Sequence, residues 1–304
     1  MLSRLLLSIL VLEAVGFAAF GVWLSRVGYS IWAAVLLPLA AYLLWRALIP
    51  ALSFGVSGVW RRVEAGGKRA RLRATVEEVL LTVWLYSAAH PFSRWFRPRP
   101  QPGEGPVLVL VHGFFCNGGM WGGMAQRLAR AGYLRVHAVD LDPLYRDMQA
   151  SLADFHAKLG AILDAEGETQ AVLVGHSMGG VLVRLYRRLH PERVALAVAI
   201  GAPHYGTRMS HWVGAGERGP ATPRTQWLAA ANASHDRDAV DAGLVNIWSE
   251  ADNIVAPQEN ARLPGVEEHR LTAHGHLRLA LAPETFQLLL AALVRLKGPA
   301  GAAE

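Results

Sequence analysis

The chain is 304 residues long, 52% hydrophobic and 18% charged, and its 30 Lys and Arg against 24 Asp and Glu give a formal charge of +6. That length accommodates one large domain with room for an appended segment, and the apolar content excludes a disordered chain. The single cysteine, Cys116, excludes an intrachain disulfide; it reads as a loop thiol without a role, in keeping with a reducing compartment.

Leu5 to Leu24 is almost wholly apolar apart from Glu13, and Ile31 to Trp45 is apolar without interruption. Each run approaches the ~20 residues that cross a bilayer. A cleaved signal would account for the first, with Arg4 ahead of it and Ala14-Val15-Gly16 as a cleavage site, but not for the second. Residues 1–60 are therefore expected to form a two-helix membrane anchor, whose second helix is cut short at Arg46 and so open to an interfacial or re-entrant course. Residues 61–99 carry nine Lys or Arg against three acids, an excess equal to the charge of the whole chain. The positive-inside rule then places this stretch, and the domain after it, on the cytoplasmic side of the plasma membrane. Arg61, Arg62, Lys68 and Arg69 are candidates for contact with anionic lipid. Nucleic acid is not an expected partner, because no recognition motif accompanies the charge. Thr75 to Tyr86 reads as an amphipathic helix, with Val76, Val79, Leu80, Val83 and Trp84 apolar against Glu77 and Glu78, to pack on the next domain or lie on the membrane. The proline-rich run Arg97 to Gly103 completes a basic segment and linker over residues 61–105.

From residue 106 the pattern changes to strands alternating with helices: Val107 to Val111, Arg135 to Val139, Ala171 to Val174, Val194 to Ile200, Leu244 to Ser249 and Val266 to Thr272 as strands, Ser151 to Glu166 and the stretch from Val181 as helices. Such alternation predicts an α/β fold, a mostly parallel sheet with helices on both faces. Within it, Gly175-His176-Ser177-Met178-Gly179 sits between an apolar strand and a helical stretch, the setting of a nucleophile elbow, in which small residues permit a sharp turn that exposes the serine hydroxyl. The amide of Met178 is left at a helix N-terminus, suited to an oxyanion. The first apolar strand runs into His112-Gly113-Phe114-Phe115, where the Phe114 amide is the candidate second donor and the His112 side chain reads as a satisfied core histidine.

Together with Gly201-Ala202-Pro203-His204-Tyr205-Gly206-Thr207, these two motifs resemble bacterial triacylglycerol lipases and esterases of the α/β-hydrolase superfamily, over roughly residues 106 to 297. The resemblance implies an α/β-hydrolase fold and a serine hydrolase acting on carboxylic esters; the two apolar runs ahead of it are expected to place it at the bacterial inner membrane as two transmembrane helices. The resemblance also implies the chain order serine, acid, histidine. Asp252, in the loop after the strand Leu244 to Ser249, resembles the family acid, with Glu250 as its rival; Asp236, Asp238 and Asp241 lie in a charged stretch. His276, in Gly275-His276-Leu277 ahead of a last helix ending near Leu296, resembles the family base more closely than His274 does, and His269 reads as a surface residue. Ser177, Asp252 and His276 would then form a nucleophile–acid–base triad needing neither metal nor organic cofactor. Phe115, Met120, Trp121 and Tyr205, near these motifs in sequence, are candidates for an apolar substrate pocket or for core. The insertion 204–242 is placed to form a cap inside the catalytic domain 106–297, ahead of a tail at 298–304. It departs from the relatives' pattern in Ala221-Thr222-Pro223 and leaves chain-length preference undetermined. Thioesterase, amidase or acyltransferase chemistry with the same triad, or a non-catalytic membrane scaffold, are the other readings.

Overall fold

A computed structural model describes residues 1–59, 67–141, 148–211, 228, 232 and 243–296. Arg61, Arg62, the expected cap beyond His211 apart from Leu228 and Asn232, and the tail at 298–304 lie outside the described residues.

Six strands, β1 (Leu108–Val111), β2 (Val136–Val139), β3 (Ala171–His176), β4 (Val194–Ile200), β5 (Leu244–Ser249) and β6 (Glu267–Leu271), form one sheet in the order β2-β1-β3-β4-β5-β6, with every pairing parallel. Because successive side chains of a strand point to opposite faces, an uninterrupted apolar run feeds two cores at once. Leu108, Leu110, Val172 and Val174 pack with Trp121, Leu128, Leu289 and Leu293 on one face, whereas Val109, Val111 and Leu173 pack with Phe155, Leu159 and Tyr186 on the other. The helices that complete the layers follow in chain order: α1 (Leu2–Arg26), α2 (Ile31–Ser57) and α3 (Gly67–Trp84) precede the sheet, and α4 (Gly122–Arg130), α5 (Met148–Glu166), α6 (Met178–Leu189), α7 (His276–Leu281) and α8 (Pro283–Leu296) cover it. The expected single last helix is two, since the residue before Pro283 takes an extended conformation that ends α7.

α1 and α2 are long and apolar enough to cross a membrane and form an antiparallel hairpin. Gly21 lies so close to α2 that a β-carbon there would stand 2.6 Å from the Ala34 carbonyl, the close crossing that small residues permit. The second helix is not cut at Arg46 but runs on to Ser57: the Arg46 guanidinium meets Glu13 of α1 at 2.6 Å, and the Trp45 indole donates to the same carboxylate. Pairing lets both charges sit in an apolar hairpin.

α3 corrects the sequence expectation more sharply. Of its apolar residues, Leu72, Val76, Leu80 and Trp84 are exposed and Val79 and Val83 half-buried, whereas Glu78, assigned to the polar face, is 1% exposed. The helix packs on the α/β domain through the side that carries this carboxylate.

Two predictions follow from the packing. A β-carbon on Gly179 would stand 2.5 Å from the His112 carbonyl oxygen and 2.6 Å from that of Val111, both backbone, whereas one on Gly123 meets open space. Gly179→Ala should therefore unfold the domain or cost several kcal/mol, roughly the upper end of overpacking, while Gly123→Ala should be neutral or stabilising by a few tenths of a kcal/mol; equal melting temperatures for the two would refute the close approach. Burial also pushes three histidines below the ordinary imidazole range: His90 to about 4, His204 to about 3, and His176 far down. Between pH 6.5 and those values the unfolded chain binds protons that the folded one refuses, so stability falls with falling pH, by on the order of 1 kcal/mol per pH unit per histidine. Urea midpoints at pH 7 and 5 should differ accordingly; a flat profile would contradict the neutral burial of these rings.

Candidate active site

Ser177 is the N-cap residue of α6 and has φ 57° and ψ −123°. Among the described residues, the only non-glycine residues with positive φ are Ser177 and Phe115, and the two lie on facing loops. Such conformations cost about 1–3 kcal/mol each and persist only where the surroundings fix them. Here the surroundings are backbone. A side chain on Gly175 would strike the Gly179 carbonyl, one on Gly179 would strike β1, and one on Gly113 would stand 2.8 Å from the Ser177 β-carbon. The Ser177 amide is anchored to the Ile200 carbonyl at 2.8 Å. The glycines of both motifs thus press the serine turn between β1, β3 and β4, with its side chain partly exposed. Met178 opens α6, so its amide lies in the first turn, where no carbonyl of the helix can accept it.

His112 is buried and satisfied: its Nε2 accepts from the Leu141 amide at 3.0 Å, which makes Nδ1 the donor to the Gly113 carbonyl at 2.8 Å. Its ring therefore ties the loop after β1 to the loop after β2. Phe114 and Phe115 follow, both half-buried. Met120 and Trp121, candidates for a substrate pocket, are instead fully buried with Leu85 and Leu128 in the core, because the helical turn at Gly118–Trp121 folds them beneath the loop. Tyr205 is half-buried, its amide donating to the Asn260 carbonyl.

Asp252 and His276 form a hydrogen-bonded pair, Oδ2 to Nδ1, at 2.8 Å, with Asp252 0% and His276 5% exposed. The other carboxylate oxygen of Asp252 accepts from the amides of Ile254 and Val255, each at 2.8 Å. Burial disfavours the His276 imidazolium, but the charge of Asp252, the hydrogen bond to it and the charge of Glu78 outweigh that, and its pKa stands above the ordinary value. The rivals are engaged elsewhere: Glu250 pairs with Arg270 at 2.9 Å, His274 lies 3.5 Å from Glu284, and His269 bonds Glu267 at the surface. His176, beside Ser177 in sequence, has its ring 4.6 Å from that of His276 and donates to the His276 carbonyl at 3.0 Å. This brings the turn and the acid–imidazole pair into one site, although no direct hydrogen bond joins the serine hydroxyl to the His276 ring among the described residues.

The third motif holds the acid loop. Gly201 lies against the pair, a β-carbon there standing 3.5 Å from Asp252 Oδ2 and 3.6 Å from His276 Cε1. Thr207 Oγ1 donates to the Ile254 carbonyl and accepts from the Ala256 amide at 3.1 Å.

Sequence reasoning missed the groups that reach the site from the N-terminal helices. Ser3 of α1 donates to the His90 carbonyl at 2.8 Å and accepts from Asn117 at 3.1 Å, while Leu2, Leu6 and Ile9 pack against Tyr86 and Phe115. Ser53 of α2 accepts from Asn253 at 2.6 Å, and the Asn253 side-chain oxygen in turn accepts from the His276 amide at 2.9 Å. Glu78 of α3 accepts from the next two amides, Leu277 and Arg278, each at 2.8 Å.

Comparison with known proteins agrees with this architecture. A pimeloyl-[acyl-carrier protein] methyl ester esterase of Aliivibrio fischeri is 30% identical over 112 residues, 37% of this chain and 42% of that protein. Epoxide hydrolase B of Mycobacterium tuberculosis is 34% identical over 130 residues, 40% of this chain and 36% of that one. The chain thus spans less than half the length of these curated relatives. Among solved structures, a Bacillus licheniformis lipase, BlEst2 in mature form, superposes with a TM-score of 0.54 at 19% identity over 65% of this chain and 95% of its own. Aspergillus fumigatus lipase B gives 0.54 at 19% over 68% and 58%. At that identity the likeness is one of fold. Residues 106–273 match the family described by the alpha/beta hydrolase fold, and the chain belongs to that family.

Proposed function

We propose that the protein is a membrane-anchored serine hydrolase that cleaves carboxylic esters carried by lipid. The observation that carries the reading is the buried Asp252–His276 pair beside a serine held at φ 57° at a strand-to-helix turn. A hydroxyl is a weak nucleophile near neutral pH and needs an imidazole to take its proton. In this reading Ser177 attacks the ester carbonyl as His276 Nε2 accepts the hydroxyl proton, and the same imidazolium returns it to the departing alkoxide. Water then repeats the sequence on the acyl-serine, releasing the acid. Asp252 keeps Nδ1 protonated and balances the transient charge, and the amides of Met178 and Phe114 receive the oxyanion. Phe115 and Tyr205, half-buried on the facing loops, flank the acyl group.

Anchoring and substrate class rest on the N-terminal helices. Both ends of the apolar hairpin that face the domain reach site loops, Ser3 to Asn117 and Ser53 to Asn253. The exposed stripe Leu72, Val76, Leu80 and Trp84 of α3, with Lys68 and Arg69 exposed beside its start, suits a helix lying at an anionic bilayer surface. The active-site loops therefore face the membrane from which an acyl ester would come. The basic excess after the hairpin supports a cytoplasmic orientation at the inner membrane in this reading.

An alkyl fluorophosphonate should label the detergent-solubilised chain and fail to label Ser177→Ala, with nitrophenyl ester hydrolysis rising toward long acyl chains. Asp252→Asn should lower kcat by about 10³-fold or more. A short-chain optimum would remove the lipid substrate. A folded wild type that is neither labelled nor active would remove the hydrolase reading.

A further inference from the structure

Two of the first amides of the helix that carries His276 are capped from outside the hydrolase domain. The first backbone amides of a helix have no partner within it. In α7 these are His276, Leu277 and Arg278, since the Leu279 amide already reaches the Gly275 carbonyl. The His276 amide is taken by Asn253, which Ser53 of α2 holds, and the other two are taken by the two oxygens of Glu78. Glu78 enters so closely that a side chain on Gly275 would stand 2.7 Å from its carboxyl carbon. Glu78 and Ser53 both precede residue 106, where the family match begins.

We propose that Glu78 is a positioning residue for His276: delivered by the helix that follows the apolar hairpin, its carboxylate fixes the first turn of α7 and supplies a second negative charge behind the imidazole. The inference rests on His276 acting as the base. A bidentate carboxylate on successive amides fixes α7 in both rotation and depth, and a helix N-terminus favours the anion. Asp252 alone sets which ring nitrogen carries the proton; Glu78 sets where the ring stands. Burial pushes the Glu78 carboxyl up to about 7, opposed by the two amides and by His276 and reinforced by Asp252. The other titratable groups that sense Glu78 are Tyr86 and Cys116, and burial keeps both neutral across the working range, the thiol pushed up to about 12. Arg278, whose amide Glu78 holds, sends its guanidinium to Glu77 at 3.3 Å. The charges that answer to Glu78 at the site are therefore those of His276 and Asp252. As an anion, Glu78 stabilises the imidazolium, so its removal lowers the pKa of His276.

The test uses the full chain in detergent micelles. Glu78→Gln keeps the shape and one acceptor but loses the charge; Glu78→Asp keeps the charge, withdrawn by one methylene. Glu78→Gln should lower kcat about 10- to 100-fold with KM little changed, and should move the acid limb of kcat/KM to lower pH; Glu78→Asp should recover most of that limb. Independently of turnover, the downfield Nδ1 proton resonance of His276, assigned by its loss in Asp252→Asn, should titrate at lower pH in Glu78→Gln. An unmoved limb and an unmoved titration, in a wild type that fluorophosphonate labels at Ser177, would reduce Glu78 to a structural cap and overturn the inference. If wild type is not labelled while the resonance shifts, the hydrolase reading fails and the coupling stands. Should Glu78→Gln not fold, the limb of Glu78→Asp decides, its coincidence with wild type at unchanged kcat counting against the proposal.

Discussion

The hydrogen bond between Asp252 and His276 is the constraint on which the rest of the site depends, because both groups have left water to form it. A buried carboxylate costs several kcal/mol unless its lone pairs are satisfied. Asp252 meets that demand with two backbone amides on one oxygen and an imidazole on the other. The amides come from its own loop, so the loop must be held, and Thr207 of the Gly-Ala-Pro motif holds it through the Ile254 carbonyl and the Ala256 amide. The imidazole comes from α7, so α7 must be held: by Asn253 of the acid loop, itself bonded to Ser53 of α2, and by Glu78 of α3. One buried hydrogen-bonded pair thereby links the last helices of the chain to the first.

Strain is managed by the same logic on the nucleophile side. Ser177 and Phe115 sit at positive φ on facing loops, and neither has a glycine's freedom there. What over-determines them is the absence of side chains around them. Glycines at 113, 175 and 179 let three backbone segments approach to distances that any β-carbon would forbid, and the turn has no other place to go. The energy stored in two residues is small beside that of the two apolar layers packed on either side of the sheet.

These two mechanisms differ in how far they were legible in the sequence. The strands were legible because a parallel strand buried on both faces is a continuous apolar run, and the elbow because its glycines are dictated by local backbone clashes within a few residues. Asp252 and His276 were legible only through the order of motifs, and the Asp252–His276 bond matches that order. Glu78 was not legible. Helical periodicity assigns a glutamate among valines and leucines to the wet face, and only amides some 200 residues away reverse the assignment. Trp121 and Met120 show the opposite error: nearness in sequence to a site loop says nothing of the face on which a tight helical turn delivers a side chain.

The inversion of α3 bears on how the apolar hairpin and the α/β domain are related. A helix that buried its leucines in the domain would be an ordinary packing element. With Leu72, Val76, Leu80 and Trp84 outward, the helix meets the domain through Leu81 and the half-buried Val79 and Val83, and adds to that packing the directional contact of Glu78. Directional contacts specify position more than they stabilise. One helix thus carries both an outward apolar stripe and the carboxylate that holds the turn of His276, on opposite sides.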